Sequence, residues 1–333
     1  MRRLTRDLAL GLSLVCATWC AQAQTPVSST WPTKAIKIIV TYPTAGVSDN
    51  ATRVLAERLT KSLGQPVLVE NRAGAGGTLG ADVVAKAAPD GYTIGFAGIS
   101  AFSIGPHVMK VNYDSLKDFS AVAAAMYSPV YLLATSKFAG NSFEDVIALS
   151  KAKPGSITVA TSGYGTVGHI MIEQLRKKSG ADITHVPYKG GGQIATDALG
   201  GQFDLMLANP YANLNNLIAD GKFRVLAVGA PQRIEKYPNV KTFAELGYPE
   251  ANMTSFFGFF APARTPPEII EKLNIEKLNT EINLALNDPE IAEKIRRLEN
   301  LVVTGKPEYF GDMIQKEYAA NAVIVKEANI KAE

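Results

Sequence analysis

Three glycine-rich stretches have the composition of anion-binding loops. They read PTAGVSD (43–49), SGYGTVGH (162–169) and YKGGGQ (188–193), and each follows a strand-like segment and precedes a helix-like one. The first residues of a helix offer unpaired backbone N–H groups and the positive end of the helix dipole, which together suit an anion. Glycine also makes tight turns that bind nothing. Three such loops in one chain favour a shared anion site.

The glycines do not match the nucleotide-binding motifs. In a Walker phosphate loop the lysine follows the glycines and a hydroxyl residue follows the lysine, whereas Lys189 precedes residues 190–192. The stretch NRAGAGGTLGA (71–81) misses the dinucleotide-binding spacing, because Leu79 stands at the third glycine position. We therefore expect no nucleotide-binding site. Lys189 either points at a ligand or, as we expect, carries a solvated side chain beside the turn.

Residues suited to catalysis or metal binding are few. There are three histidines, His107, His169 and His185, and no two have the spacing of zinc ligands on a helix. The sequence contains neither a G-x-S-x-G nor an H-E-x-x-H motif. His169 falls one turn into a presumed helix, where it faces either a ligand or the protein interior. Asp204 either reaches a ligand from the start of a strand or is a solvated turn residue. We expect no metal and no cofactor.

The elements that position these loops alternate between strand and helix. The strand-like segments are 35–42, 66–71, 92–98, 129–135, 157–161, 183–188, 203–208, 223–229 and 255–263. The helix-like segments are 48–64, 78–88, 142–152, 166–179, 191–200, 211–220, 266–287, 288–298 and 307–329. Short apolar strands between amphipathic helices predict an α/β fold with parallel sheets covered on both faces. Ligands of such sheets bind outside the carboxyl ends of the strands, where the glycine loops lie.

The N-terminus has the pattern of a secretory signal. A basic head, MRRLTRD, precedes the apolar run LALGLSLVCATWC, and AQA at 21–23 has the form of a signal peptidase site, so we expect cleavage after Ala23 and export to the periplasm. Both cysteines lie in this leader, which excludes disulfides and thiolate chemistry from the remainder. The leader carries three of the 34 basic and one of the 31 acidic residues, so the remainder has a net charge of +1. This near-neutral balance disfavours nucleic acid as a partner.

Four long segments of the chain resemble the sequences of one protein family. The resemblance extends from about Trp31 onward. The sequence is similar to the substrate-binding proteins of tripartite tricarboxylate transporters, the Bug-type extracytoplasmic receptors. The segments are NRAGAGGTLGADVVAKAAPDGYTIGFA (71–97), VPYKGGGQIATDALGGQFDLML (186–207), LIADGKFRVLAVGAPQRIEKYPNVKTFAELG (217–247) and FFGFFAPARTPPEIIEKLN (256–274).

The resemblance implies a periplasmic-binding-protein-like α/β fold with a ligand cleft between two domains. We expect domain 1 at 24–129 plus 256–333 and domain 2 at 130–255, joined by crossover strands. It implies a receptor that binds a small carboxylate, such as a di- or tricarboxylate, an acidic amino acid or an aromatic acid. The near-neutral charge and the lack of an evident oligomerisation seam in the sequence favour a monomer. The receptor would deliver this ligand to permease subunits of a tripartite transporter. A sensor kinase is an alternative partner. A secreted hydrolase using Ser48, Ser100 or Ser162 with His169 is the alternative from another class, although no acid partner is evident.

The resemblance also indicates which residues bind the ligand. The family's first loop, P-[FP]-P-G-G-x-x-D, is matched by YPTAGVSD, with Ala45 in place of the first glycine; a positive φ there would strain alanine by about 1 kcal/mol. Our hypothesis places a carboxylate against the N–H groups around 45–46 and 100–101, with domain 2 closing on it through 165–166, 188, 190 and 191. The Tyr164 ring either lines the cleft or packs at its rim. The candidate ligand-binding residues are Tyr42, Pro43, Ala45, Gly46, Ser48, Ser100, Ala101, Gly163, Tyr164, Gly165, Thr166, His169, Tyr188, Gly190, Gly191 and Asp204.

Overall fold

The computed structural model describes residues 31–263 and 271–331. The chain divides into a leader unit, Met1–Thr33, and a compact unit, Lys34–Glu333. The predicted signal peptide, residues 1–23, and the start of the predicted helix at 266–287 lie outside the described residues. Among the helices that the structure describes, none is long and apolar enough to cross a membrane.

The described strands of the larger unit form two sheets. The strands are β1 (Ile36–Val40), β2 (Val67–Asn71), β3 (Thr93–Gly98), β4 (Phe119–Ser128), β5 (Val130–Ala134), β6 (Ile157–Thr161), β7 (Ile183–Pro187), β8 (Leu205–Ala208), β9 (Arg224–Gly229), β10 (Ser255–Pro262) and β11 (Leu301–Val302). The first sheet has the order β11-β4-β10-β3-β1-β2 and the second has the order β7-β6-β8-β5-β9. We call the half of the unit built on the first sheet the first lobe, and the half built on the second sheet the second lobe.

Helices follow most strands, as the alternating pattern predicts. They are α1 (Val47–Leu63), α2 (Thr78–Ala85), α3 (Ser100–Ser103), α4 (Gly105–Val108), α5 (Phe143–Ala152), α6 (Val167–Ser179), α7 (Gly191–Leu199), α8 (Ala212–Ala219), α9 (Glu271–Asn287), α10 (Pro289–Arg296) and α11 (Pro307–Glu327). The α/β class is confirmed.

The expectation of parallel sheets is only half right, because both sheets are mixed. Strand β1 pairs in parallel with β2 and β3, and β6 pairs in parallel with β7 and β8. Strand β10 runs antiparallel to both β3 and β4, and β5 runs antiparallel to both β8 and β9. Strand β4 was not predicted at all. Its centre is alanine-rich and buried, so it shows neither the β-branched composition nor the alternation that marks a strand in the sequence.

Two crossings connect the lobes at the back of the cleft. The chain leaves the first sheet at β4 and enters the second at β5 with only Pro129 between them, and it returns at β10. The Asn209 side chain ties these crossings together, since its Nδ2 donates to the Pro129 carbonyl and to Ser255 Oγ, each at 3.0 Å. A division into independently moving domains at 129/130 and 255/256 stays a prediction.

Helix α11 contributes to the cores of both lobes. Phe310 and Ile314, near its start, are buried in the core beside the first sheet. Val325, near its end, and Ile330, just beyond it, are buried in a core of the second lobe. The C-terminal segment therefore spans the two lobes.

Candidate ligand site between the two lobes

A cavity lies between the lobes at the carboxyl ends of several strands. Its volume is about 60 Å³. The residues that line it come in part from the loops after β1, β3 and β6. The predicted site residues among them are Tyr42, Pro43, Gly46, Ser48, Ser100 and Thr166.

The walls of the cavity are neutral as far as the structure describes them. Among the described lining residues, the only ionisable groups are Tyr42 and Tyr211. Burial raises the pKa of Tyr42 and raises the pKa of Tyr211 to about 12, so both hydroxyls keep their protons at neutral pH. An anion in this cavity can therefore be held only by hydroxyls, amides and backbone N–H groups.

The N-terminus of α1 supplies such groups. Its first helical hydrogen bond runs from the Asn50 N–H to the Gly46 carbonyl at 3.0 Å, so the N–H groups of residues 47–49 precede the hydrogen-bonded ladder. Gly46 is the N-cap residue and provides no side-chain cap. Ser48 lines the cavity and is only 1% exposed, and its buried Oγ has no hydrogen-bond partner among the described residues. This end of α1 is thus rich in donors that the fold leaves unused.

A buried network fixes the loop before α1. Asp49, which is 3% exposed, accepts hydrogen bonds from Asn71 Nδ2 at 3.0 Å and from the Ala45 N–H at 2.9 Å. It also pairs with Arg53 at 2.9 Å. Burial alone would raise the pKa of Asp49, but the hydrogen bonds from Arg53, Ala45 and Asn71 hold it below its usual value. Asp49 therefore acts as a charged anchor of the loop rather than as a ligand-binding group.

Ala45 departs from its predicted role. Its N–H donates to Asp49, so it is not available to a ligand, and Ala45 is exposed and does not line the cavity. Its φ is 63°, in the left-handed region where an alanine costs about 1 kcal/mol. The backbone strain that the missing glycine predicts is therefore present. The predicted contact between the Ala45 N–H and a ligand is a correction, because this N–H already donates to Asp49.

The first lobe also places two hydroxyls at the cavity. Tyr42 Oη donates to the Gly76 carbonyl at 3.0 Å and lies 3.5 Å from Ser100 Oγ. Ser100 is 4% exposed and begins α3. Both residues line the cavity, but the Tyr42 hydroxyl proton is already donated to the Gly76 carbonyl, so Tyr42 supports the wall rather than donating to a ligand.

Helix α6 presents the matching N-terminus from the second lobe. Its N-cap residue, Thr166, makes no side-chain cap, because its Oγ1 instead donates to the Gly163 carbonyl at 2.7 Å. The first helical bond runs from Ile170 to the Thr166 carbonyl, so the N–H groups of residues 167–169 precede the ladder. Val167 and Gly168 line the cavity. Two helix N-termini without side-chain caps therefore border one neutral cavity from opposite lobes.

Two stacked histidines support the second-lobe loop from behind. The rings of His169 and His185 lie 4.6 Å apart, and the Tyr164 ring meets both edge-on. The Gly165 N–H donates to His169 Nδ1 at 3.2 Å. Burial lowers the pKa of His169 to about 4 and that of His185 to about 3, so both are neutral at neutral pH. His169 and Tyr164 position the loop and do not line the cavity.

The two lobes touch at the opening of the cleft, where glycines of the second lobe contact the first lobe. Gly190 lies against the Pro43 ring, and Gly165 lies so close to Gly105 that a Cβ on it would be 3.0 Å from the Gly105 Cα. Both second-lobe glycines have positive φ, at 153° and 70°, so any other residue would be strained as well as crowded. The lobes are therefore in contact at their rims, with the cavity behind them.

Three further predicted residues do not line the cavity. Ala101 is buried, and its carbonyl accepts a hydrogen bond from Tyr113 Oη at 2.6 Å. Tyr188 Oη donates to Asp197 at 2.8 Å. Gly191 is the first residue of α7. Their contacts support the loops around the cavity rather than the cavity itself.

Asp204 is a correction to the predicted site. It precedes β8 at the end of the strand opposite the cavity, where its carboxylate accepts hydrogen bonds from the Thr158 N–H at 2.9 Å and from Thr158 Oγ1 at 2.5 Å. It joins the starts of two parallel strands and has a structural role. Lys189 is exposed, in line with a solvated side chain.

Sequence reasoning missed several residues that reach the cavity from the crossings and from the segment after β8. They are Val130, Asn209, Tyr211, Ser255, Phe256 and Phe257. Asn209 directly follows β8, so the rule that ligands bind at the carboxyl ends of strands could have identified it. The aromatic residues of β10 gave no such signal, because their contribution depends on β10 running antiparallel to its neighbours. Among the described residues, no cluster of His, Cys, Asp or Glu could hold a metal ion.

Comparison with known proteins places the chain and its fold in a family. Residues 51–330 match the model of the tripartite tricarboxylate transporter family receptor. Protein BugT of Bordetella pertussis is 37% identical over 98% of this chain and 99% of its own. The solved periplasmic binding protein BugD is 29% identical and superposes with a TM-score of 0.84 over 91% of this chain and all of its own.

A third relative was solved with a ligand. MatC from Rhodopseudomonas palustris, with bound malate, is 28% identical and has a TM-score of 0.82 over 89% of this chain and all of its own. The predicted periplasmic-binding-protein fold and the family resemblance are confirmed. The chain belongs to the family of tripartite tricarboxylate transporter receptors, which are solute-binding proteins.

Proposed function

We propose that this chain captures a small carboxylate between its lobes and delivers it to the permease subunits of a tripartite tricarboxylate-type transporter. The observation that carries the proposal is the pair of helix N-termini, at α1 and α6, that face one neutral cavity without side-chain caps. The malate bound by MatC supports a carboxylate as the ligand.

The carboxylate oxygens accept hydrogen bonds from the N–H groups at residues 47–49 and from those at 167–169. Ser48 Oγ, which lacks a partner among the described residues, donates a further bond. Charge-assisted hydrogen bonds contribute roughly 1.5–3 kcal/mol each. Four or five of them, less the costs of ordering and closure, leave about −8 kcal/mol, which is micromolar affinity. Neutral walls suit this task, because a buried lysine or arginine would carry its own desolvation cost when the site is empty.

Release of the ligand requires the two lobes to separate at the opening of the cleft. We propose that the predicted domains, 24–129 plus 256–333 and 130–255, hinge at the crossings beside Pro129 and Ser255, where Asn209 links the two segments. The closed form, with Gly190 against Pro43, would be the form that a permease recognises. We further propose export after cleavage behind Ala23 and action as a monomer.

A hydrolase is not supported by the site. Ser48 and Ser100 line the cavity, but His169 lies behind the loop, where its Nδ1 already accepts the Gly165 N–H. Its Nε2 lies 4.0 Å from Glu173 and not beside a serine hydroxyl. His169 is therefore not placed as a base for Ser48, for Ser100 or for Ser162, which also lines the cavity.

The test is a thermal-shift screen of residues 24–333, unfolded and refolded beforehand to remove any co-purified ligand. A ligand at about 100 times its Kd adds about 2.7 kcal/mol of stability. We expect stabilisation by a narrow set of short carboxylates and not by sugars or nucleotides. Stabilisation by nucleotides, or by none of these compounds, would contradict the proposal. Capture of a permease subunit, rather than of a sensor kinase's periplasmic domain, by the ligand-loaded protein would support the proposed partner.

A further inference from the structure

A second cavity adjoins the first and is lined by residues of helix α11 and of the crossings. Its volume is about 250 Å³, compared with about 60 Å³ for the ligand cavity. We call it the hinge cavity. Its walls include Tyr127, Met253, Met313 and Glu317.

Three residues line both cavities and separate them. Ile99, Val167 and Phe256 belong to the walls of each, and they are 4%, 6% and 3% exposed. They come from the end of β3, the start of α6 and the start of β10, so both lobes contribute to this partition.

The Phe256 ring is held in place by its neighbours. It stacks on Tyr127, with centroids 4.3 Å apart and planes 16° from parallel, and it meets Phe310 edge-on at 5.4 Å. Phe256 and Tyr127 are also paired in register across β10 and β4. A ligand in the first cavity therefore meets a fixed wall.

The two cavities differ in charge. The ligand cavity has no carboxylate among its described lining residues, whereas Glu317 lines the hinge cavity, and its Oε2 accepts only a long hydrogen bond of 3.3 Å from Asn321. No lysine, arginine or histidine is among the described residues that line the hinge cavity. A second carboxylate entering there would meet a like charge in a partly buried space, which is unfavourable.

We propose that Ile99, Val167 and Phe256 set the maximum length of the ligand. We also propose that the hinge cavity behind them selects against a chain that carries a second carboxylate at its far end. This inference rests on the proposed function and sharpens its substrate class: the wild-type cavity takes short acids, and removal of the partition adds long monocarboxylates but not long dicarboxylates. Each additional methylene buried should tighten binding by about fourfold.

The test is calorimetry of the refolded chain with succinate, octanoate and suberate. Wild type should bind succinate and bind octanoate weakly. Phe256→Ala should bind octanoate at least about tenfold more tightly than wild type does, with little gain for suberate. In the double variant Phe256→Ala, Glu317→Gln, suberate should gain as well.

Phe256→Ala removes a buried ring and therefore destabilises the core. A matched pair of valine variants provides a test that does not depend on that variant. Val167→Ala and Val130→Ala make the same chemical change at two residues of the ligand cavity, but only Val167 also lines the hinge cavity. Val167→Ala should therefore gain octanoate affinity and Val130→Ala should not.

The outcomes separate this inference from the proposed function. Normal succinate binding by the variants with no gain for octanoate would overturn the partition alone. An equal gain for suberate and octanoate while Glu317 is intact would overturn the selection by charge. Failure of wild type to bind any carboxylate would overturn the proposed function and this inference together.

Discussion

Helices α1 and α5 begin in nearly the same way, but only α1 faces the cavity. In both, an aspartate at the third helical position reaches back to the N–H of the residue before the N-cap: Asp49 to Ala45 at 2.9 Å, and Asp145 to Asn141 at 2.7 Å. The two helices differ at the N-cap itself. On α5, Ser142 accepts the Asp145 N–H at 3.1 Å and completes a capping box.

On α1 the N-cap residue is Gly46, which has no side chain to complete the box. Asp49 holds the loop in place, while the helical N–H groups next to the cavity have no side-chain cap. A helix that serves only the fold uses its first N–H groups for itself. A helix that binds an anion must leave them open.

The largest effect on stability should come from the aspartates that the two helices share. Asp49→Ala should cost about 3 kcal/mol of unfolding free energy, because the buried carboxylate anchors the loop through several charge-assisted hydrogen bonds. Asp145→Ala on α5 is the matched control and should cost less, since Asp145 is more exposed. Chemical denaturation measures both, and equal losses would contradict the distinction.

The same carboxylate makes a pH-dependent contribution. The folded-state pKa of Asp49 lies below its usual value, so its stabilisation is fully present above about pH 4 and is lost as the pH falls through the folded-state pKa. Asp49→Ala should therefore show a shallower loss of stability on acidification than wild type. Parallel acid titrations of the two proteins would contradict this.

The largest effect on binding should come from a carboxylate introduced in the first turn of α1. Ser48→Asp places a negative charge where the ligand is proposed to bind, so affinity should fall by about a hundredfold. The buried charge should also lower the unfolding free energy of the apoprotein, because it is desolvated and adjacent to the Asp49 carboxylate, so affinity is compared on protein that thermal unfolding shows to be folded. Ser142→Asp on α5, which exchanges one good cap for another, should leave affinity unchanged. Calorimetry together with thermal unfolding would show both results.

Exchange of the N-cap residues should give a smaller effect. Gly46→Ser should add a side-chain cap to α1 and lower ligand affinity by roughly tenfold, because the new hydroxyl would accept a hydrogen bond from one helical N–H that is now uncapped. There is space for it, since a Cβ on Gly46 would lie 3.7 Å from its nearest neighbour, the Pro43 carbonyl oxygen. Ser142→Gly should cost only a few tenths of a kcal/mol and should not change binding. Unchanged affinity in Gly46→Ser would mean that this N–H does not hold the ligand.

The smallest effect should come from the strained residue before the open helix. Ala45→Gly should raise the unfolding free energy by about 0.5 kcal/mol, because the relief of strain at positive φ outweighs the added freedom of the unfolded chain. Ala45→Val should shift stability in the opposite direction. Ligand affinity should stay the same in both, since the Ala45 N–H already donates to Asp49. A change in affinity would mean that Ala45 does contribute to ligand binding.

The sequence was informative where local pattern decides structure. The alternation of apolar strands and amphipathic helices predicts most elements within a few residues, and the glycine loops mark two of the helices that face the cavity, α1 and α6. The pattern failed at β4, where buried alanines carry no signal, and so it also failed to show that both sheets are mixed. The residues that β10 adds to the cavity, including Phe256 and Phe257, could not be found without that topology.

The predicted site was too broad for a related reason. A loop sequence shows which residues lie near a ligand but not which way each one faces. His169 and Tyr164 pack behind the loop, and Asp204 joins two strands at their opposite ends. These roles depend on tertiary contacts with His185 and Thr158 that lie outside the loop sequence.

The most direct test of the central claim is a crystal structure of the refolded chain with malate. We expect a malate carboxylate within hydrogen-bonding distance of the N–H groups at 47–49 and 167–169 and of Ser48 Oγ, with no lysine or arginine side chain in contact. A carboxylate bound by a basic side chain such as Lys189, or lying away from both helix N-termini, would contradict the claim that open helix ends hold the ligand.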